Sequence, residues 1–351
     1  MVSAQDAIHE STDYAPVPID KRIQDKFLHE LGPDLQRALE DETTEDICLN
    51  QDGKVWIKRR GTGFEHAFNM EAYWALSMIG TAAYLRGNKI VNADNPILEV
   101  DLPIYQSRFE AIVPNVVVAP IFALRGRARS VYTFADYANS GIISHKDDPL
   151  NARRKAEDRL AMCKGLSHEE IFELAVLQRW NVLVAGSTGS GKTTLCNAFL
   201  EAQKRLTPNH RTVLIEDTPE LNCEVQNFVA MLSSSKTSML DCLKATMRLK
   251  PDRISVGEVR GGEALTLLKA WNTGHPGGFA TLHADDAYGA LLRLQSLVAE
   301  ATPAPQQDFI AKAVNLVVFI DGDPVLPKGR KVKEVCLVSG YEEGRYLIDY
   351  V

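Results

Sequence analysis

The sequence predicts an α/β protein: a doubly wound parallel sheet carrying a phosphate loop, preceded by a smaller α+β unit. Two observations carry this. Gly186-Ser187-Thr188-Gly189-Ser190-Gly191-Lys192-Thr193 fits the spacing G-x-x-x-x-G-K-[ST] between an apolar run, Val182-Leu183-Val184-Ala185, and a segment with Leu195, Ala198, Phe199, Ala202 and Leu206 at helical spacing. From there onward, β-rich runs alternate with helical segments, the pattern of parallel strands joined by crossover helices. A chain of 351 residues with 45% hydrophobic content has room for about two ordinary globular domains.

Residues 1–20 read as a mobile tail. Residues 22–39 place Ile23, Phe27, Leu31, Leu35 and Leu39 on one helical face, interrupted at Pro33. Ile47-Cys48-Leu49 and Val55-Trp56-Ile57 flank Asn50-Gln51-Asp52-Gly53, which predicts a hairpin. A helix follows over 71–86 with Gly87 as a left-handed cap, and then strand runs within 107–118 and 120–124. Over 139–159 the periodicity gives way to Gly, Ser, Asp, Pro and charge. The chain therefore divides into a tail (1–20), an α+β N-terminal domain (21–140), a linker (141–162) and an α/β domain (163–351). Ser167 with Glu170 three residues on predicts a capping box opening a helix through Ile171, Leu174 and Ala175. Residues 212–215, 254–256, 279–282 and 316–320 read as further strands, with helices in 238–249 and 263–271 and a closing hairpin in 335–351.

Composition bounds the partners. Lys plus Arg is 39 against 46 for Asp plus Glu, a net charge of −7, so no global basic field recruits nucleic acid. Basic residues do cluster at Lys58-Arg59-Arg60, at Arg125, Arg127 and Arg129, and at Arg153-Arg154-Lys155, which read as solvated faces or phosphate and partner contacts. Cys48, Cys163, Cys196, Cys223, Cys242 and Cys336 form no C-x-x-C pair, so reduced thiols in a cytosolic chain fit better than zinc or disulfides. The polar, acidic residues 1–14 do not read as a signal peptide, and the longest apolar stretch, 112–124, is broken by Pro114, Asn115 and Pro120. Membrane association is expected to be peripheral.

The loop chemistry follows from residue type. Gly186, Gly189 and Gly191 let successive N–H groups converge at a helix N-terminus, where the helix dipole favours a polyphosphate. Ser187, Thr188 and Ser190 complete the loop, Lys192 reaches the β- and γ-phosphates, the Thr193 hydroxyl ligates Mg²⁺, and Thr194 follows as a helix residue counted with the site. ATP hydrolysis also needs a carboxylate at a neighbouring strand end, to hold hydrated Mg²⁺ or orient water. Ile254-Ser255-Val256-Gly257-Glu258 offers Glu258, with Gly257 where an aspartate is usual, and Val213-Leu214-Ile215-Glu216-Asp217 offers Glu216. Either carboxylate can instead cap the next loop. In Gly274-His275-Pro276-Gly277-Gly278-Phe279-Ala280-Thr281-Leu282-His283 the two histidines lack a third soft ligand for zinc. His283 reads as a structural hydrogen-bonder or as a sensor of the terminal phosphate.

Phosphate loop, Glu216-Asp217, Gly257-Glu258 and the two-histidine stretch, in that order, resemble the Walker A, Asp box, Walker B and His box of the type II/type IV secretion ATPase superfamily. Glycine in place of the Walker B aspartate is the usual form there, and the likeness runs from about Asp46 to Phe319. The resemblance implies a RecA-like motor domain, a hexameric ring, and ATP with Mg²⁺ held partly through water by Thr193, Glu216 and Glu258. It also implies two N-terminal arginines directed at the nucleotide, matched by Arg108 and Arg125, and candidate subunit-interface arginines at Arg248, Arg253 and Arg260. Within the superfamily the conjugative-transfer branch fits best. That implies a cytoplasmic protein, peripheral at the inner membrane, partnered by itself and by inner-membrane and other ATPase components of the channel, with direct DNA binding open. A pilus-retraction motor and a phosphate-loop small-molecule kinase are the alternatives.

Overall fold

The structure is a computed structural model and describes residues 21–85, 89–105, 107–126, 133–143, 158–327 and 329–351. The expected tail, the Gly87 cap, Arg127, Arg129 and the 153–155 cluster lie outside the described residues.

The first half contains α1 (Lys21–Glu40), β1 (Thr44–Leu49), β2 (Lys54–Arg59), β3 (Phe64–Asn69), α2 (Ala72–Leu85), β4 (Ile97–Leu102), β5 (Ser107–Ile112), β6 (Ile121–Arg125) and α3 (Phe134–Asn139). Its strands form an antiparallel sheet in the order β3-β2-β1-β6-β5-β4. Helix α1 bends at Gly32 (φ 68°), because Pro33 disfavours helical backbone in the residue before it. Phe27, Leu31 and Leu35 of α1 and Met78, Ile79 and Ala82 of α2 pack on one face of this sheet, against Ile47, Leu49, Phe109 and Phe122.

The second half continues with α4 (Arg159–Cys163), α5 (His168–Leu177), β7 (Val182–Ala185), α6 (Lys192–Leu206), β8 (Thr212–Glu216), β9 (Phe228–Leu232), α7 (Met239–Thr246) and β10 (Arg253–Val256). It ends with α8 (Glu263–Asn272), β11 (Phe279–Leu282), α9 (Ala287–Ala301), α10 (Gln307–Ala313), β12 (Leu316–Gly322), β13 (Arg330–Glu342) and β14 (Arg345–Tyr350). The sheet order is β14-β13-β12-β7-β11-β10-β8-β9, parallel from β12 to β9 and closed by the antiparallel β12-β13-β14 meander. Ser167 forms the expected capping box with Glu170 at the start of α5.

The two sheets share a core. The second face of the antiparallel sheet contributes Cys48, Trp56, Ile112 and Ile121 to a cluster with Val213, Met231, Leu243 and Leu249. Fully buried Arg211 fastens the contact: Nε donates to the Leu249 carbonyl (2.8 Å), and Nη1 donates to Asn50 Oδ1 (2.5 Å) and Asn227 Oδ1 (2.6 Å). Nη2 is left without a hydrogen-bond partner, so the network ties the two sheets together at the cost of one unsatisfied buried donor.

Candidate active site

The carboxyl ends of β7, β11, β10 and β8 converge on one cavity of about 260 Å³, where Lys192, Thr193, Glu216, Glu220, Glu258 and His283 meet. A Cβ at Gly186 would collide with the Ile320 carbonyl and the Ser190 hydroxyl, so only glycine lets the loop leave β7 here. Gly191 is the N-cap of α6 with φ 103° and no side chain capping the helix, which leaves the first-turn N–H groups to an anion. Lys192 Nζ donates to the carbonyls of Gly186 and Ser187 (2.9 Å each) and lies 3.4 Å from His283 Nδ1. Burial holds this ammonium below its usual range, opposed by the charge of Glu258.

The carboxylates divide their work. Oε1 of buried Glu216 accepts from the backbone N–H groups of Glu220 and Leu221 (3.0 Å each), so Glu216 caps its loop. Burial raises its carboxyl above the ordinary range. The expected hold of Glu216 on Mg²⁺, partly through water, would fall to its other oxygen, Oε2, which takes no part in that cap. Glu220, which the sequence reading did not single out, accepts from the Thr193 hydroxyl at 3.0 Å. Its only signal was a carboxylate in the loop after a Walker-like strand. Glu258 Oε1 lies 3.1 Å from His283 Nε2, and its Oε2 accepts from Arg260 Nη2 at 2.6 Å. Arg260 also pairs with Asp217. A Cβ on Gly257 would stand 3.0 Å from Glu216 Cγ, so a side chain here would press on Glu216.

Other expected residues go elsewhere. Arg108 and Arg125 are cross-strand partners on β5 and β6 and line a separate cavity with Arg248 and Lys250, so they do not reach the phosphate loop of their own chain. Arg125 lies instead 3.8 Å from Asp46. Arg253 is fully buried, donating to His210 Nδ1 (3.1 Å) and to the carbonyls of Gly277 and Val176 (2.8 Å each), so it cannot meet a neighbouring subunit. Arg248 pairs with Glu99 of β4 and so joins the two halves. His275 is a structural hydrogen-bonder to the Pro251 carbonyl (2.7 Å). Thr194 is exposed, with Arg330 Nη1 3.4 Å from its hydroxyl.

A family model described as type II/IV secretion system protein matches residues 160–320. The probable conjugal transfer protein TrbB of Sinorhizobium fredii (strain NBRC 101917 / NGR234) is 40% identical over 328 residues, 93% of each chain. The chain belongs to the type II/IV secretion system protein family. A second member, the conjugal transfer protein TrbB of Rhizobium radiobacter, is 39% identical over 329 residues, 94% of each chain. The fold of this family member is that of the VirB11 ATPase from the Brucella suis type IV secretion system, crystallised with sulphate. The TM-score is 0.81 at 24% identity, over 91% of this chain and 97% of the other. The fold is therefore the expected α/β class, with a RecA-like C-terminal part and a smaller α+β N-terminal part.

Proposed function

We propose that this chain is a ring-forming ATPase of a conjugative type IV secretion system, coupling ATP hydrolysis to pilus biogenesis, substrate transfer or both. The observation that carries the reading is the continuous line Lys192, His283, Glu258 and Arg260 across a glycine-built phosphate loop. The similarity to proteins named for conjugal transfer, over 93% and 94% of each chain, supports the conjugative assignment. The proposed division is an N-terminal domain (21–140), a linker (141–162) and a motor domain (163–351). The proposed assembly is a homohexamer docked on inner-membrane and other ATPase components of the channel, peripheral at the cytoplasmic face. Among the described residues no helix is long and apolar enough to cross a membrane.

The donors fit a nucleotide with Mg²⁺: uncapped N–H groups and Lys192 for phosphate, and the Thr193 hydroxyl beside Glu220, with Glu258 nearby, for a hard cation. Mg²⁺, when bound, supplies charge neutralisation to the phosphates. Lys192 exchanges its loop carbonyls for phosphate oxygens, and Glu258, held by His283 and Arg260, orients the attacking water and takes its proton. Glu216 keeps the Glu220 loop in place, and His283 links the Lys192 end of the site to Glu258. Glu258→Gln is expected to retain bound ATP while slowing phosphate release by about 10² or more. Wild-type release in this variant would remove Glu258 from the role.

A further inference from the structure

We infer that Arg330 binds the phosphate nearest the ribose, on the flank of the loop away from His283 and Glu258. The inference rests on the nucleotide reading above and adds a residue to it. The loop strand β7 lies between β11 and β12, so His283 and Glu258 stand on one flank and the β12-β13 connection on the other. Arg330 opens β13 opposite Gly322, and its guanidinium lies over the first turn of α6. Nη1 is 3.4 Å from Thr194 Oγ1, and a Cβ built on Gly191 would stand 2.9 Å from Arg330 Cδ.

Two features mark this as a binding position. Among the described residues no carboxylate forms an ion pair with Arg330, although nearby Lys333 lies 3.5 Å from Asp321. An exposed guanidinium whose hydrogen-bond contact is one long approach to a hydroxyl has its planar fork of donors available for an anion. The end of β12 is also tied to the loop, since Asp321 Oδ1 accepts from the Ser187 hydroxyl at 2.6 Å. With the terminal phosphate at Lys192, the chain of phosphates crosses the N-terminus of α6 and brings its inner end under Arg330. Lys192 and His283 then read the terminal phosphate, whereas Arg330 reads a group common to ADP and ATP.

The test is calorimetric titration of the full chain with ADP and with a non-hydrolysable ATP analogue, using wild type, Arg330→Ala, Arg330→Lys and His283→Ala. Arg330→Ala is expected to weaken both ligands by the same factor, about tenfold, with partial recovery in Arg330→Lys. The KM for ATP should rise by a similar factor. His283→Ala should weaken the analogue more than ADP. Unchanged affinity in Arg330→Ala, a loss confined to the analogue, or a lowered melting temperature in both Arg330 variants would overturn the inference. A wild-type chain that binds neither ligand would overturn the nucleotide reading itself.

Discussion

Arg253 and Lys192 show how differently two cations of one domain are used. Lys192 makes three polar contacts at the rim of a cavity. Arg253 is sealed inside the α/β half, and burial brings its pKa down to about 10. Arg253→Met leaves the Gly277 and Val176 carbonyls without their donor. We expect a loss of about 2 to 4 kcal/mol in urea unfolding, and stability within about 0.5 kcal/mol of wild type would contradict the assignment. At this scale the sequence was legible where spacing alone builds the site, as in 186–193, and at strand ends such as Glu258. Glu220 and Arg330 were not, because each reaches the loop only after distant segments fold back: Arg330 meets Thr194 across 136 positions. Arg253 was misread for the converse reason, since nothing local reveals that a surface-type residue is buried.

Elements were readable in proportion to how strongly their pattern departs from a loop. The inner parallel strands β7, β8, β10 and β11, buried on both faces, stand out as apolar runs. β3, β4 and β9 were not anticipated: β3 is an edge strand with four of its six residues exposed, and β9 is only half buried. Element β5 carries a testable liability in Glu110. Its carboxyl is buried, Oε2 has no hydrogen-bond partner, and desolvation raises it from 4.5 to about 8 against the pull of Lys89. Arg248 is 3.9 Å away but is committed to Glu99. The folded chain therefore holds a proton that the unfolded chain releases between about pH 4.5 and 8, so stability falls as pH rises through that window and is level above it. Glu110→Gln should flatten this fall and exceed wild type by about 1 to 3 kcal/mol at pH 8. Parallel melting curves of the two proteins from pH 5 to 8 would contradict it.

For the molecule as a whole, the two sheets are one packed body, joined by a shared core and by Arg211. Sequence periodicity separated an α+β half from an α/β half. It could not show that β1, β5 and β6 are covered on both faces, because that second cover comes from residues far along the chain, in the other half. It also could not show that Arg108 and Arg125 point to a cavity apart from their own loop. The proposed assembly is a ring that hydrolyses ATP without a phosphate acceptor. Its most direct test is to measure particle mass and phosphate release together, on wild type and Lys192→Ala, with ATP and Mg²⁺ alone. We expect a hexamer-sized wild type whose turnover is lost in the variant; a monomer that is silent until an acceptor is added would rule out the ring ATPase.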